Sequence, residues 1–366
     1  MKKFLKAVWI FLPLAAAAAM YFILPYFPEF TEYVFSRTIF KIVTVPIGFL
    51  TSLIPISLTE LLVILAVPAV IFLVVLLCVR LKKSSHKKKT AVRAGRGVCC
   101  FISFACLMYM ICHGANFYRL SMEQLMELDT SQKTADQLLS VCIRLAQGAA
   151  QAQEELSTDE NGCTVLPESI FEELTRAGSG YDALLEEYPF LWTSVRRQKA
   201  VILSEQWSYT LITGMYFPFL AECNVNTAQP DFAIPYTAAH ESAHSRGIAY
   251  ENDCNFLAFL SCINSEYPEY RYSGYMETFK LCANELYDYD KDMWAIARSY
   301  CTEQMLADFT DENEFIYSHQ GEIQQAATAV NDTFIKSQGV SEGTLSYGRV
   351  TELVLAYYDK LEQSPQ

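Results

Sequence analysis

Pro235-Tyr236-Thr237-Ala238-Ala239-His240-Glu241-Ser242-Ala243-His244-Ser245-Arg246-Gly247-Ile248-Ala249-Tyr250-Glu251-Asn252-Asp253-Cys254-Asn255-Phe256 is the stretch on which the reading of this chain turns. It contains His-Glu-x-x-His. Residues four apart stand one above the other on a helical face, so His240 and His244 can offer both imidazoles to one Zn²⁺. Glu241, beside that face, is placed to take a proton from a water that such a metal acidifies to a pKa of roughly 7. The chain has only five histidines, so accident is a poor account of two of them enclosing a glutamate at this spacing. Ala238, Ala239 and Ala243 are small and helix-forming, as a closely packed helix requires. Gly247 supplies a left-handed turn that ends the helix and brings the chain back.

A hydrolytic zinc site takes three protein ligands and keeps one open position. Glu251 is the candidate third ligand, at the start of a second helix that runs to Leu260. Asp253, on another face, is its rival. Glu251 and Asn255 share a face at i, i+4, which makes the Asn255 amide a candidate for orienting a ligating histidine.

The motif resembles that of the gluzincin zinc peptidases, in which His-Glu-x-x-His on one helix is completed by a glutamate, within Glu-x-x-x-Asp, on a later helix. Glu251 matches that glutamate, and Asn255 stands where the aspartate usually is; the two helices are also closer in sequence than in most gluzincins. The chain further resembles, over nearly its whole length, domain-of-unknown-function family 3810, a bacterial membrane family. The stretches that carry this second resemblance are Gly114–Arg119, Gly214–Glu222, the motif itself and Arg271–Tyr275. The resemblances imply a membrane-anchored zinc peptidase site in a mainly α protein, with a mostly helical zincin-like domain and little β structure.

Charge is divided along the chain. Residues 1–115 carry 13 Lys and Arg against 3 Asp and Glu, and residues 116–366 carry 15 against 38. The acidic half excludes nucleic acid as a partner, since that is bound largely through cationic contacts to phosphate. The basic half is apolar in blocks. Residues 4–27, 58–79 and 98–115 are long enough to cross a bilayer. Residues 28–56, with Glu29, Glu32, Arg37 and Lys41 among apolar residues and prolines, read as an amphipathic helix lying on the membrane or as a loop. The dense cations of residues 80–97 read as a cytoplasmic loop under the positive-inside rule. With Lys2 and Lys3 also inside, three crossings deliver residues 119–366 to the outer face of the cytoplasmic membrane.

In that second domain, residues 121–156 read as helix, 159–162 as a turn, 177–180 as a loop and 181–209 as a helical stretch through Trp192 and Arg196. Gly214 to Pro235 reads as extended or irregular, and by analogy with zincins could lie beside the metal helix. Glu222 and Asn226 there face substrate or belong to a loop surface. Residues 266–275 read as a Tyr-rich loop from which Tyr272 or Tyr275 could donate to an oxyanion. His319 is the remaining histidine of this half, either a transition-state stabiliser or an exposed residue at a helix start, and helices follow to Lys360, the last starting at Gly348. Seven cysteines lie here, an odd number without Cys-x-x-Cys, so they read mostly as buried thiols and thiolate zinc is not expected.

The expectation is a membrane-anchored zinc metallopeptidase with His240, His244 and Glu251 as ligands and Glu241 as general base, acting on peptides or proteins at the membrane surface. The alternative, in which zinc serves a sensor or a structural role without turnover, leans on Asn255 in place of aspartate.

Overall fold

The computed structural model describes residues 9–131, 134–192, 197–338 and 349–363. Lys2, Lys3 and residues 4–8 of the expected first span lie outside them, as do Arg196 and Gly348. The chain divides into two compact units, Met1–Arg119 with Phe217–Ala221, and Leu120–Tyr216 with Glu222–Gln366.

The first unit holds four helices long and apolar enough to cross a membrane. They are α1 (Leu12–Ile23, extended by short 3₁₀ turns to Trp9–Tyr26), α2 (Pro28–Ser52), α3 (Leu58–Lys83) and α4 (Lys87–Cys112). Three such helices were expected, and α2 is the addition. Its charges do not break it because the most buried one is matched. Glu32 Oε1 accepts from Arg37 Nε at 2.7 Å and Arg119 Nη2 at 2.9 Å, and Glu32 Oε2 accepts from Arg119 Nε at 2.6 Å. Residues Thr31–Ile39 of α2 are π-helical, a wide winding that is rare in proteins. The basic residues expected in a cytoplasmic loop lie in helices instead: Ser57 caps α3, Arg80, Lys82 and Lys83 close it where its dipole favours cations, Lys87–Lys89 open α4, and Arg93 and Arg96 lie further along it.

In the second unit the core is built around α7 (Glu251–Ile263), which packs on α6 (Ile234–Ser245), on α8 (Pro268–Tyr289) and on the C-terminal helix Arg349–Gln363. α8 also lies along α5 (Ala135–Gln153) over much of its length. From Asp253 to Cys262 every residue of α7 is buried, which an amphipathic surface helix would not allow. A three-stranded sheet lies against α6. Its central strand β3 (Glu222–Val225) is flanked by β1 (Gln198–Ala200) and β2 (Gly214–Phe217), and β1 and β3 run parallel with Gln198 opposite Cys223.

Three expectations are corrected here. The stretch 181–209 is no single helix: short helices at Ser179–Ala183 and Ser204–Ser208 flank β1, because Pro189 breaks the chain and the 198–200 segment pairs with β3. The 266–275 segment is helical from Pro268 onward, with the proline at the first turn, where its missing N–H costs nothing. Glu222 is neither substrate-facing nor surface loop but pairs in the core with Lys199, and Asn226 is equally buried, its amide donating to Ser208 Oγ at 3.0 Å.

The 177–180 segment, expected as a loop, turns at 177–178 and enters a short helix that packs tightly on α7. Gly180 lies in the short helix Ser179–Ala183, and a Cβ there would fall 1.7 Å from the carbonyl oxygen of Ser261 on α7. Gly180→Ala therefore forces these helices apart. Thermal unfolding of the full chain in detergent should show a loss of roughly 1–3 kcal/mol or more, and an unchanged midpoint would mean that this approach does not hold α7.

Candidate metal centre

α6 begins with Ile234-Pro235, where proline suits a first turn, and all its residues but His240 are buried. Ala238, Ala239 and Ala243 are fully buried, and the missing side-chain bulk lets Tyr181 reach the Ala239 carbonyl oxygen with its hydroxyl at 2.9 Å. The helix ends as the sequence suggests. Gly247 takes φ +82°, its N–H bonds to His244 O at 3.0 Å, and Ile248 N–H bonds back to Ala243 O at 3.3 Å. This pair of bonds is the Schellman arrangement that satisfies orphan carbonyls at a helix C-terminus.

The turn also orients a histidine. Ile248 O lies 2.9 Å from His244 Nδ1, and a carbonyl can only accept, so Nδ1 carries the hydrogen. His240 Nδ1 stands 2.7 Å from Asn255 Oδ1, which fixes the same tautomer on the second ring. Both Nε2 atoms are thereby turned toward one carboxylate oxygen. Glu251 Oε2 lies 3.1 Å from His240 Nε2 and 3.7 Å from His244 Nε2. Two neutral imidazole nitrogens and a carboxylate oxygen are all acceptors, and three acceptors converge only around a cation. Ligands bound to Zn²⁺ at roughly 2.0–2.1 Å in a tetrahedral arrangement stand about 3.3 Å apart, close to the two spacings observed, so the donor set fits a metal ion.

Electrostatics agree with the geometry. Burial pushes the Glu251 carboxyl up, but the His244 and His240 imidazoles outweigh it and hold the group well below the usual carboxylate range. Burial likewise opposes charge on His244, yet Cys254 and Glu251 raise its pKa well above the ordinary value. The centre thus draws positive charge, as a proton or as a metal ion.

Glu241 is 4 % exposed, and its Oε2 has no hydrogen-bond partner among the described residues. Its carboxylate accepts from the backbone N–H of Tyr216 on β2. Burial raises its pKa, while the two histidines pull it part of the way back. Gly214 allows this approach of strand to carboxylate, because a Cβ there would come within 2.5 Å of Glu241 Oε1. Cys223 on β3 donates its thiol to Glu241 O at 3.2 Å, so the sheet is fastened to the helix beside the motif.

Cys254 is the residue that sequence reasoning passed over. His240, His244 and Cys254 form a group whose ligand atoms all lie within 4.8 Å of one another and which could hold a metal ion. Cys254 Sγ stands 3.2 Å from His244 Nδ1, one turn along α7 from Glu251. Its i+3 relation to Glu251 was the available signal, obscured by reading the cysteines as inert. Asp253, the rival ligand, has its carboxylate beside the Asn252 amide at 3.2 Å. The oxyanion candidates lie elsewhere. Tyr272 is fully buried and donates to Asp308 Oδ2 at 2.6 Å, and the Tyr275 ring packs against Gly148 and Phe259. His319 closes its helix rather than opening it, is buried, and has Nδ1 2.8 Å from Phe315 O.

Because Asn255 fixes the tautomer and tilt of His240, Asn255→Ala should weaken binding of added Zn²⁺ by about 10- to 100-fold, and Asn255→Asp should restore most of it. Competition titration against a chromogenic chelator measures this, and unchanged affinity in the alanine variant would show that the amide does not orient the ring.

No curated protein and no solved structure matches the chain. Residues 35–355 match the family described as protein of unknown function (DUF3810), a match that takes in α3, α4, the sheet, α6, α7 and the first part of the C-terminal helix. The chain belongs to the DUF3810 family.

Proposed function

We propose that this protein is a membrane-anchored, zinc-dependent peptidase that cleaves peptides or proteins at the outer face of the cytoplasmic membrane. The supporting observation is the convergence of His240 Nε2, His244 Nε2 and Glu251 Oε2 in the same motif as a buried carboxylate, Glu241, with an oxygen lacking a partner. The three converging groups would hold the ion. When bound, Zn²⁺ would supply a Lewis acid that acidifies water and polarises a carbonyl. Glu241, its pKa raised by burial, would take the proton of the attacking water and return it to the leaving amine. Asn255 and Ile248 O would keep the imidazoles from rotating as charge moves.

A second reading rests on Cys254. Closed sites with thiolate ligands are structural as a rule, and Cys254 Sγ, 3.2 Å from His244 Nδ1, would join His240 and His244 as a ligand group in place of Glu251 if the His244 ring bound through that nitrogen, in a sensor or structural protein that turns nothing over. Metal analysis of the purified full-length protein separates the two. Under the peptidase reading, zinc near one per chain is lost in Glu251→Ala and kept in Cys254→Ser, and Glu241→Gln keeps zinc while abolishing cleavage of a peptide library. Zinc kept in Glu251→Ala but lost in Cys254→Ser would favour the structural site, and no zinc in the unmutated chain would sink both.

For the membrane we propose three crossings, with α2 lying in the outer interface. Lys2, Lys3 and the cations of residues 80–97 sit on one side only if one of the first three helices does not cross, and α2 alone of the three carries charge in its middle, at Arg37 and Lys41, where α3 has its charges at its ends. Contacts within the first unit support this. The front of α2 bonds to the exit of the chain, through Ser36 Oγ to Asn116 Oδ1 at 2.7 Å. Its rear bonds to the turn Phe217–Ala221, through Thr51 Oγ1 to Leu220 O at 3.1 Å. Alkaline phosphatase fused after residue 27, residue 55 or residue 130 should be active, and after residue 85 inactive. Opposite activities at residues 27 and 55 would mean that α2 crosses.

A further inference from the structure

The end of the membrane unit where α3 passes into α4 carries charge and shape that the metal centre does not use. Eight Lys and Arg fall between Arg80 and Arg96, and from Leu61 to Met122 the sequence holds no Asp or Glu. The hairpin therefore brings no carboxylate of its own to its cations. Among the described residues, Lys82 and Lys87 take part in no ion pair. The turn between them is braced: Ser84 Oγ and Thr90 Oγ1 lie 2.9 Å apart, and the His86 N–H donates to Ser84 Oγ at 3.1 Å.

A cavity of about 520 Å³ opens along the flank of α3 beside these two cations. Val74, Val75, Cys78 and Val79 line it, and Lys82 with Lys87 of α4 stand at its end. Positions 74, 78 and 82 recur every four residues, so apolar wall and cation share one helical face, and the groove runs about 12 Å along α3. A second hollow, of about 610 Å³, adjoins it through Lys87 and is lined by Ser85, His86, Lys88 and Lys89. Of the residues of α3 only Thr59 is buried, so the apolar wall faces lipid. The order of the chemistry selects the occupant. An acidic peptide or a free phosphate would meet the two ammonium groups and leave the wall uncovered, whereas an anionic phospholipid carries phosphate and acyl chain on one molecule in the same order. Basic hollows between membrane helices take such headgroups.

We propose that this groove seats one anionic phospholipid, its headgroup phosphate held by Lys82 and Lys87 and an acyl chain laid along Val74, Cys78 and Val79. The seat is independent of the peptidase reading. It is also independent of how many helices cross, because both leaflets of a nanodisc offer the same lipids. Full-length protein is reconstituted into nanodiscs of phosphatidylcholine with phosphatidylglycerol, and the lipids retained on the chain are counted by native mass spectrometry. The unmutated chain should retain phosphatidylglycerol over phosphatidylcholine. Lys82→Gln with Lys87→Gln should cut that preference at least about fivefold, the factor for losing one cation near anionic lipid, and Lys82→Arg with Lys87→Arg should keep it. Cys78→Phe, which fills the groove, should also lower it. Arg80→Gln with Lys83→Gln removes as much charge outside both hollows and should leave most of the preference. Equal retention of both lipids by the unmutated chain overturns the proposal. So does a preference that Lys82→Gln with Lys87→Gln or Cys78→Phe leaves intact, or one that Arg80→Gln with Lys83→Gln lowers equally. Polyglutamate that binds in discs of phosphatidylcholine alone through Lys82 and Lys87, with no lipid preference in the mixed discs, would replace the lipid with an acidic protein segment.

Discussion

Two hydrogen bonds from imidazole Nδ1 govern the centre of this protein, one to Ile248 O and one to Asn255 Oδ1. Each makes the opposite nitrogen of its ring an acceptor, and both acceptors face Glu251. Like-natured groups brought this close repel one another unless positive charge lies among them, so the fold around them must be rigid enough to hold the arrangement. That rigidity is visible in the burial of α6 and α7, in the Schellman turn between them, and in the sheet held to α6 through Cys223 and the Tyr216 N–H. Among the described residues the site itself holds two carboxylates, Glu251 between the rings and Glu241 beside them.

Local signals in the sequence carried further than tertiary ones. The helix over His240 and His244, its end at Gly247 and the start of a new helix at Glu251 follow from residue spacing and glycine chemistry alone, and the structure has each of them. The turn at residues 159–162 was legible for the same reason, with Gly162 at φ +81°. What was not legible depended on contacts far apart in sequence. Strand β1 has no alternating pattern of its own and exists because β3 lies beside it. Tyr272 sits in a tyrosine-rich segment that invites a catalytic role, but Asp308, 36 residues away, takes its hydroxyl. Cys254 could be placed on α7 from the sequence, whereas its approach to His244 depends on how tightly the turn closes.

The membrane half taught the opposite lesson about charge. Glu32, Arg37 and Lys41 made residues 28–56 look too polar for a long apolar helix, yet Glu32 pairs with Arg37 and Arg119 of the same unit and the helix runs unbroken to Ser52. Hydropathy averages a charge as though it met lipid. A carboxylate that is completely buried between two guanidinium groups does not. The two halves of the protein thus use ionisable groups in the same way, paired inside a shell of apolar packing.

The shortness of the link between α6 and α7 has a consequence for how the protein is assembled. His240 and Glu251 are eleven positions apart, so bringing them together closes a small loop at little entropic cost. The constellation is a local event in folding, available once this segment has formed its two helices and their turn. The C-terminal helix Arg349–Gln363, which packs on α7 from another direction, contributes none of the groups that meet there. Damage at that end would loosen the core before it scattered the cluster, and a chain still being synthesised could hold the two histidines and their carboxylate together before its last helix existed.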